Sequence, residues 1–301
     1  MTVSIPFKKE LDFEYGVANE LSPLIRRVIA QNPSPFTLHG TGTYIIGRGS
    51  VAVIDPGPLD DNHVKAILKA TEGETISHIL ITHTHHDHSP AAQPLKERTG
   101  AKTYGFGPHG SGKPGMDPEE GGDMDFTPDI RIKDGDIIEG QGWTMKALHT
   151  PGHLSNHICF ELMEEKTLFS GDHVMGWSTT IVSPPDGDMK QYMDSLAKLL
   201  DFDHIKYWPT HGPAIEDPHP FVKGLIAHRH DRMSQIKNCL SDGSMDIPSM
   251  VKKMYTDVPE YLHPAAARSV YSHILMMVEN GEILSDGEKT VTDVYSLNNK
   301  A

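Results

Sequence analysis

The alternation of apolar and polar positions predicts a chain that opens with strands and closes with helices. Residues 36–47 (FTLHGTGTYIIG) and 51–55 (VAVID) read as two strands about the turn signal Arg48-Gly49-Ser50. Asp55-Pro56-Gly57-Pro58 then stops the second strand abruptly. Residues 61–72 place Val64, Ile67 and Leu68 on one helical face. His78-Ile79-Leu80-Ile81-Thr82 is a short apolar run suited to a buried strand, followed by a helix from Ala91 to Thr99 and a strand over 102–104. Strand-like segments recur at 130–132, 136–138, 143–148, 157–163 and 166–170; an amphipathic helix over 188–200 and a short strand over 205–209 complete the series. The Gly-, Pro- and acid-rich segment 105–128 reads as a long loop.

After about Pro220 the period changes. Helices are expected at 221–240, 246–254 and 264–279, with a small hairpin over 279–284. The chain therefore divides into two units, 1–220 and 221–301.

Composition narrows the partners. The formal charge is −14 with histidines neutral, so a nucleic acid would need a local basic patch. Residues 225–301 hold eight Lys+Arg against ten Asp+Glu, so the helical unit is not a basic arm, although Arg229, Arg232, Lys252 and Lys253 offer a local patch. The two cysteines, Cys159 and Cys239, cannot build a disulfide framework or a cysteine-rich zinc site, and read as small buried hydrophobes. There is no basic segment leading into an apolar stretch at the N-terminus, and no apolar run near the ~20 residues of a membrane span. The expectation is a soluble, cytoplasmic protein without a membrane partner.

The chemistry is concentrated in histidine. Of 19 histidines, four fall between His83 and His88, in Thr82-His83-Thr84-His85-His86-Asp87-His88, where an apolar strand ends. On an extended chain His83 and His85 project to one side, and Asp87 and His88 follow in a turn aimed at a second point. Imidazoles and carboxylates suit zinc, and iron or manganese as well. Without a cation, so dense a cluster would leave ring nitrogens unsatisfied or repelling one another. The same grammar of apolar strand, abrupt turn and potential ligand recurs at Thr150-Pro151-Gly152-His153, Ser170-Gly171-Asp172-His173 and Pro209-Thr210-His211-Gly212. No Gly-x-Ser-x-Gly elbow is present.

The His-x-His-x-Asp-His pattern, followed by a spaced His, Asp and His, resembles the metallo-β-lactamase superfamily from about Phe36 to Pro213. The resemblance implies an α/β (α+β) fold, a four-layer αβ/βα sandwich with its site along one edge. It implies two Zn2+ per chain, with Fe or Mn as alternatives. His83, His85 and His153 would hold one ion, Asp87, His88 and His211 the other, and Asp172 would bridge them. Asp55 would support a ligand from behind. A bridging hydroxide would attack an acyl or phosphoryl group, with Asp87 and Asp172 as the catalytic carboxylates. Asp172 disfavours a dedicated β-lactamase, since members with that activity generally carry another residue there.

The segments around Asn32-Pro33-Ser34-Pro35-Phe36, Gly171–Thr180 and His228-Arg229-His230-Asp231-Arg232 further resemble the lactamase-beta-like protein 2 subfamily, whose members carry a C-terminal winged-helix-like domain. Gly42 departs from it, since relatives commonly have asparagine there. The leading expectation is a hydrolase of an ester, thioester or similar acyl bond on a small-molecule substrate. The alternative is an endoribonuclease or phosphodiesterase acting on single-stranded RNA. Low promiscuous β-lactamase activity and a non-catalytic binding module rank below these. A homodimer fits the helical unit as a lid or subunit surface.

Overall fold

The computed structural model describes residues 4–112 and 121–298. The first sheet has seven strands in sequential order: β1 (Asn19–Glu20), β2 (Ile25–Ile29), β3 (Gly42–Ile46), β4 (Ser50–Ile54), β5 (Thr75–Leu80), β6 (Lys102–Gly105) and β7 (Ile130–Arg131). Hairpin pairing gives way to parallel pairing from β4 onward. Parallel neighbours need crossovers, and helices α1 (Asp61–Ala70) and α2 (Ala92–Thr99) supply two of them. The second sheet combines β8 (Ile137–Gly140), β9 (Trp143–His149), β10 (Ile158–Leu162), β11 (Thr167–Gly171) and β12 (Lys206–Pro209), ordered β12-β11-β10-β9-β8. Helix α3 (Met189–Leu199) crosses between its parallel pair β11 and β12, and Asp188 caps that helix by accepting from the Gln191 amide at 3.0 Å.

Strand alternation sorts the core into layers. Tyr44, Ile46, Ala52 and Ile54 meet Met145, Ala147, Phe160, Phe169 and Trp208 between the two sheets. Their sequence neighbours Ile45, Val51 and Val53 pack outward under α1 and α2, and Leu148, Cys159, Leu168 and Tyr207 pack outward under α3. Burial on both faces is why these strands read as nearly unbroken apolar runs. The architecture is the expected four-layer sandwich. Both cysteines are free and buried, as expected.

The structure departs locally from the sequence reading. The strand expected from residue 36 begins at Gly42, because Ser34 accepts the amides of Phe36 and Thr37 in a turn and Leu38 adopts φ 56°. Strand β2 is hidden in the sequence by Arg26 and Arg27, both buried; Arg26 pairs with Glu74 at 2.7 Å and Arg27 donates to the Gly212 carbonyl at 3.2 Å. The hairpin expected over 279–284 is wider: β14 (Ile283–Ser285) pairs with β15 (Val294–Leu297) across a polar tip, and β13 (Met245–Asp246) flanks it. Residues 113–120 of the expected long loop lie outside the described residues, and Gly105 belongs to β6.

Helix α4 (Pro218–Leu240) serves two cores. Its first half places Phe221, Val222 and Leu225 against the second sheet's outer face. Its second half places Ile236, Cys239 and Leu240 with α5 (Ile247–Met254), α6 (His263–Glu279) and the wing. One helix therefore joins the sandwich to a winged-helix unit without a flexible linker.

Candidate metal centre

The site lies where strands of both sheets end. Asp55 follows β4, His83–His88 follow β5, His153 follows β9, Asp172 follows β11 and His211 follows β12. Two glycines make the approach tight enough. Gly152, at φ 136°, lies so close to α3 that a Cβ would meet the Tyr192 backbone nitrogen at 2.4 Å. Gly171, at φ 53°, turns β11 into Asp172 where a Cβ would meet His157 Nε2 at 2.5 Å.

All seven residues expected as ligands come together, as three triads: His83, His85 and His153; His83, His88 and Asp172; and Asp87, His88 and His211. His83 Nε2 and His153 Nε2 each lie 3.0 Å from His85 Nδ1, so three ring nitrogens converge on one point. His211 Nε2 lies 3.1 Å from Asp87 Oδ2, and His88 Nε2 lies 3.4 Å from the same oxygen. Asp172 stands between the groups, with Oδ1 3.4 Å from His211 Nε2 and Oδ2 3.6 Å and 3.8 Å from His88 and His153 Nε2.

The outer nitrogens explain the inner ones. His88 Nδ1 donates to Asp55 Oδ2 at 3.0 Å, His153 Nδ1 to the Ile181 carbonyl at 2.6 Å, and His211 Nδ1 to the Gly40 carbonyl at 3.2 Å. Carboxylates and carbonyls only accept, so each of these rings carries a proton on its outer nitrogen and turns its Nε2 inward. Asp55 also accepts from the Thr82 amide at 2.8 Å, the Thr82 hydroxyl at 2.6 Å and the Thr210 hydroxyl at 3.2 Å. It thus ties the ends of β4, β5 and β12 to one ring, at a φ of 48° that few residues other than glycine tolerate.

Electrostatics point the same way. Burial opposes ionisation of Asp87 and Asp172, yet neighbouring His88 and His211 outweigh it and hold both carboxyls well below their usual range. Burial would likewise depress His211, but Asp172 and Asp87 outweigh it and raise that imidazole to about 10. Protons here do the work of cations. His88 Nε2 and Asp172 Oδ1 are buried without a hydrogen-bond partner among the described residues. Inward ring nitrogens, ionised carboxylates and buried polar atoms without a partner fit divalent metal ions, whose binding would displace the protons.

Three further residues support the centre. His157 accepts the Asp172 amide at 3.2 Å and lies against the His83 ring with centroids 5.0 Å apart. Thr180 donates to the Asp172 carbonyl at 2.7 Å. Arg229, expected in an exposed basic patch, is instead 3% exposed; it donates to the Thr180 carbonyl and lies 5.1 Å over the Tyr192 ring. The His-Arg-His-Asp-Arg segment signalled Arg229 by motif, but only packing reveals its partner. Tyr192 itself is wholly buried. Gly42 donates its amide to the Thr210 carbonyl at 2.8 Å, one residue before His211.

The centre opens into a cleft of about 700 Å³. Asp87 is its more accessible carboxylate, with a side chain 27% exposed against 11% for Asp172. Phe36, Met175, Ile181, Pro184 and Pro185 give the cleft an apolar wall. Among the described residues, no helix is long and apolar enough to cross a membrane.

Comparisons with known proteins agree with this geometry. A family model described as the metallo-beta-lactamase superfamily matches residues 37–211, and one described as the beta-lactamase associated winged helix domain matches residues 247–290. The chain is 33% identical to a beta-lactamase-like protein 2 homolog of Drosophila melanogaster, covering 87% of this chain and 90% of that protein. It is 31% identical to an atrochrysone carboxyl ACP thioesterase of Cryptosporiopsis sp. (strain 8999), covering 79% and 74%. A beta-lactamase domain protein from Burkholderia ambifaria shares the fold with a TM-score of 0.78, at 18% identity and 97% coverage of both chains.

Proposed function

Because the chain belongs to the metallo-β-lactamase superfamily, a family of hydrolases, we propose that it is a dinuclear, zinc-dependent hydrolase of an ester or thioester acyl bond. The observation that carries this reading is the convergence of His83, His85 and His153 beside Asp87, His88 and His211, with Asp172 between the groups. Two adjacent divalent ions, when bound, supply Lewis-acid activation of water and of the acyl carbonyl. The thioesterase name of one relative supports an acyl substrate, and the apolar wall beside the centre suits a carbon skeleton.

The chain's own residues perform the remaining tasks. Asp87 is ionised and faces the cleft, so it orients the attacking water and takes its proton. Asp55 fixes the tautomer of His88, and the Ile181 and Gly40 carbonyls do the same for His153 and His211. Phe36 and Ile181 exclude bulk water from one side of the reacting bond.

The test is a substrate panel with zinc-loaded protein: thioesters, esters, lactones, a β-lactam and single-stranded RNA, alongside metal content by mass spectrometry. About two zinc ions per chain and turnover of a thioester or ester, abolished in His85→Ala, are expected. Cleavage of RNA alone, or fewer than one ion per chain at saturation, would refute the proposal.

A further inference from the structure

The winged-helix unit contributes one charged side chain to the cleft, and it is a cation. Arg268 lines the same cavity as His85, Asp87, His153, Asp172 and His211, and is the only lysine or arginine among the described lining residues. It projects from the first half of α6 and is exposed. Its helical neighbours at three and four residues' distance are Pro264, Ala265, Tyr271 and Ser272, none of which can neutralise it. Among the described residues its guanidinium makes no hydrogen bond or ion pair. On a chain of net charge −14, a cation without a carboxylate partner among the described residues and lining the cleft stands out. Of the cleft's histidines, His153 and His211 are turned to the metal end by their anchored outer nitrogens, and His85 by its contacts with His83 and His153. Among the described lining residues Arg268 is thus the one lysine or arginine available to a ligand extending away from that end, beside the exposed imidazole of His86.

We propose that Arg268 forms an anion-binding subsite for the substrate, resting on the hydrolase reading above. It takes a carboxylate or phosphate carried some distance from the bond that is cut, and the apolar wall takes the carbon skeleton between. A guanidinium suits this role, because its planar fork pairs with two oxygens of either anion at once. The subsite makes the winged-helix unit part of substrate selection, since the metal centre alone does not distinguish charged from neutral acyl groups.

The test compares two N-acetylcysteamine thioesters on zinc-loaded protein, one of nonanoic acid and one of nonanedioic acid with its far carboxylate free. The wild type should favour the charged substrate in kcat/KM. Arg268→Ala should reduce that preference about fivefold, the upper range for a solvent-exposed ion pair. Arg268→Lys should keep part of it and Arg268→Glu should reverse it. Carrying the same acyl groups on phosphopantetheine separates the two anion sources: selectivity follows either the acyl carboxylate or the phosphate of the thiol. A preference unchanged by both Arg268→Ala and Arg268→Glu on both carriers would overturn the proposal. If the wild type cleaves neither these thioesters nor the esters of the panel, the hydrolase reading falls, and the subsite is judged by calorimetry. Nonanedioate should then bind tighter than nonanoate, by a margin that Arg268→Ala removes; an equal margin in both proteins would overturn it.

Discussion

The strand-end rim of the sandwich and the helical unit that follows it serve one cleft by different means. The rim places its groups through backbone: seven potential ligands leave strand ends whose positions are set by two hydrogen-bonded sheets. The helical unit places its groups through long side chains. Buried Arg229 reaches the loop that carries Thr180 and Ile181, and exposed Arg268 reaches the cleft. Backbone placement is rigid and suits ions that tolerate little displacement. Side-chain placement can be altered without disturbing the sheets and suits selection among substrates. A rim change should therefore abolish chemistry, and a change in the helical unit should grade it.

The largest effect is expected at Asp172, which lies within 3.8 Å of ring nitrogens from both groups. Asp172→Ala should lower zinc content from about two toward one per chain and slow hydrolysis by on the order of 10²–10³. Retention of both ions would show that the groups bind independently. Asp55→Asn comes next. It keeps the side-chain shape at φ 48° but can place an amide N–H opposite His88 Nδ1, so zinc affinity should fall about 10–100-fold by competition with a chelator.

Arg229→Met tests whether the helical unit supports the rim. The Thr180 carbonyl loses its donor, and the segment bearing Ile181, which holds His153, loosens. Zinc affinity should drop by up to about 10-fold while the circular dichroism spectrum stays native, with partial rescue in Arg229→Lys. A fall in melting temperature with unchanged zinc affinity would make Arg229 purely structural and dissolve the link between the regions.

Acid stability gives the finest comparison. Burial lowers His63, in the sandwich, to about 4, and His273, on α6, to about 3. Both rings fold neutral, so the unfolded chain binds more protons once pH falls below about 6.5. Stability is fully present above that value and declines as pH falls from there to about 4 for His63 and about 3 for His273, at about 1.4 kcal/mol per pH unit for each ring. Urea titrations across pH 3–7 should show this slope, reduced in His63→Gln and in His273→Gln. If each variant moves a different phase of unfolding, the two regions unfold separately despite sharing α4.

Where an apolar run ended in a turn, the sequence was readable. The runs before Asp55, His83, His153, Asp172 and His211 were each interrupted by Pro, Gly or a threonine-led turn, and each became a strand end at the site. Strand β2 was not readable, because two buried arginines interrupt its apolar pattern and their partners, Glu74 and Gly212, lie far away in sequence. The wing was misjudged because its polar tip hides the pairing of Ile283–Ser285 with Val294–Leu297.

By itself the sequence determined the run of strands, the change from strands to helices near residue 220 and the histidine-rich turns, which follow from local periodicity and side-chain chemistry; the layered fold and the full set of candidate ligands came from its resemblance to the metallo-β-lactamase superfamily. The tertiary structure alone decided which ring nitrogen faces inward, because that depends on acceptors such as Asp55, Ile181 and Gly40, brought from distant strands and loops. It also decided the fates of two arginines that look alike in the sequence. Arg229 is enclosed and committed to a carbonyl, whereas Arg268 lines the cleft with no ion-pair partner among the described residues, and only the packing of α4 and α6 against the sandwich separates them.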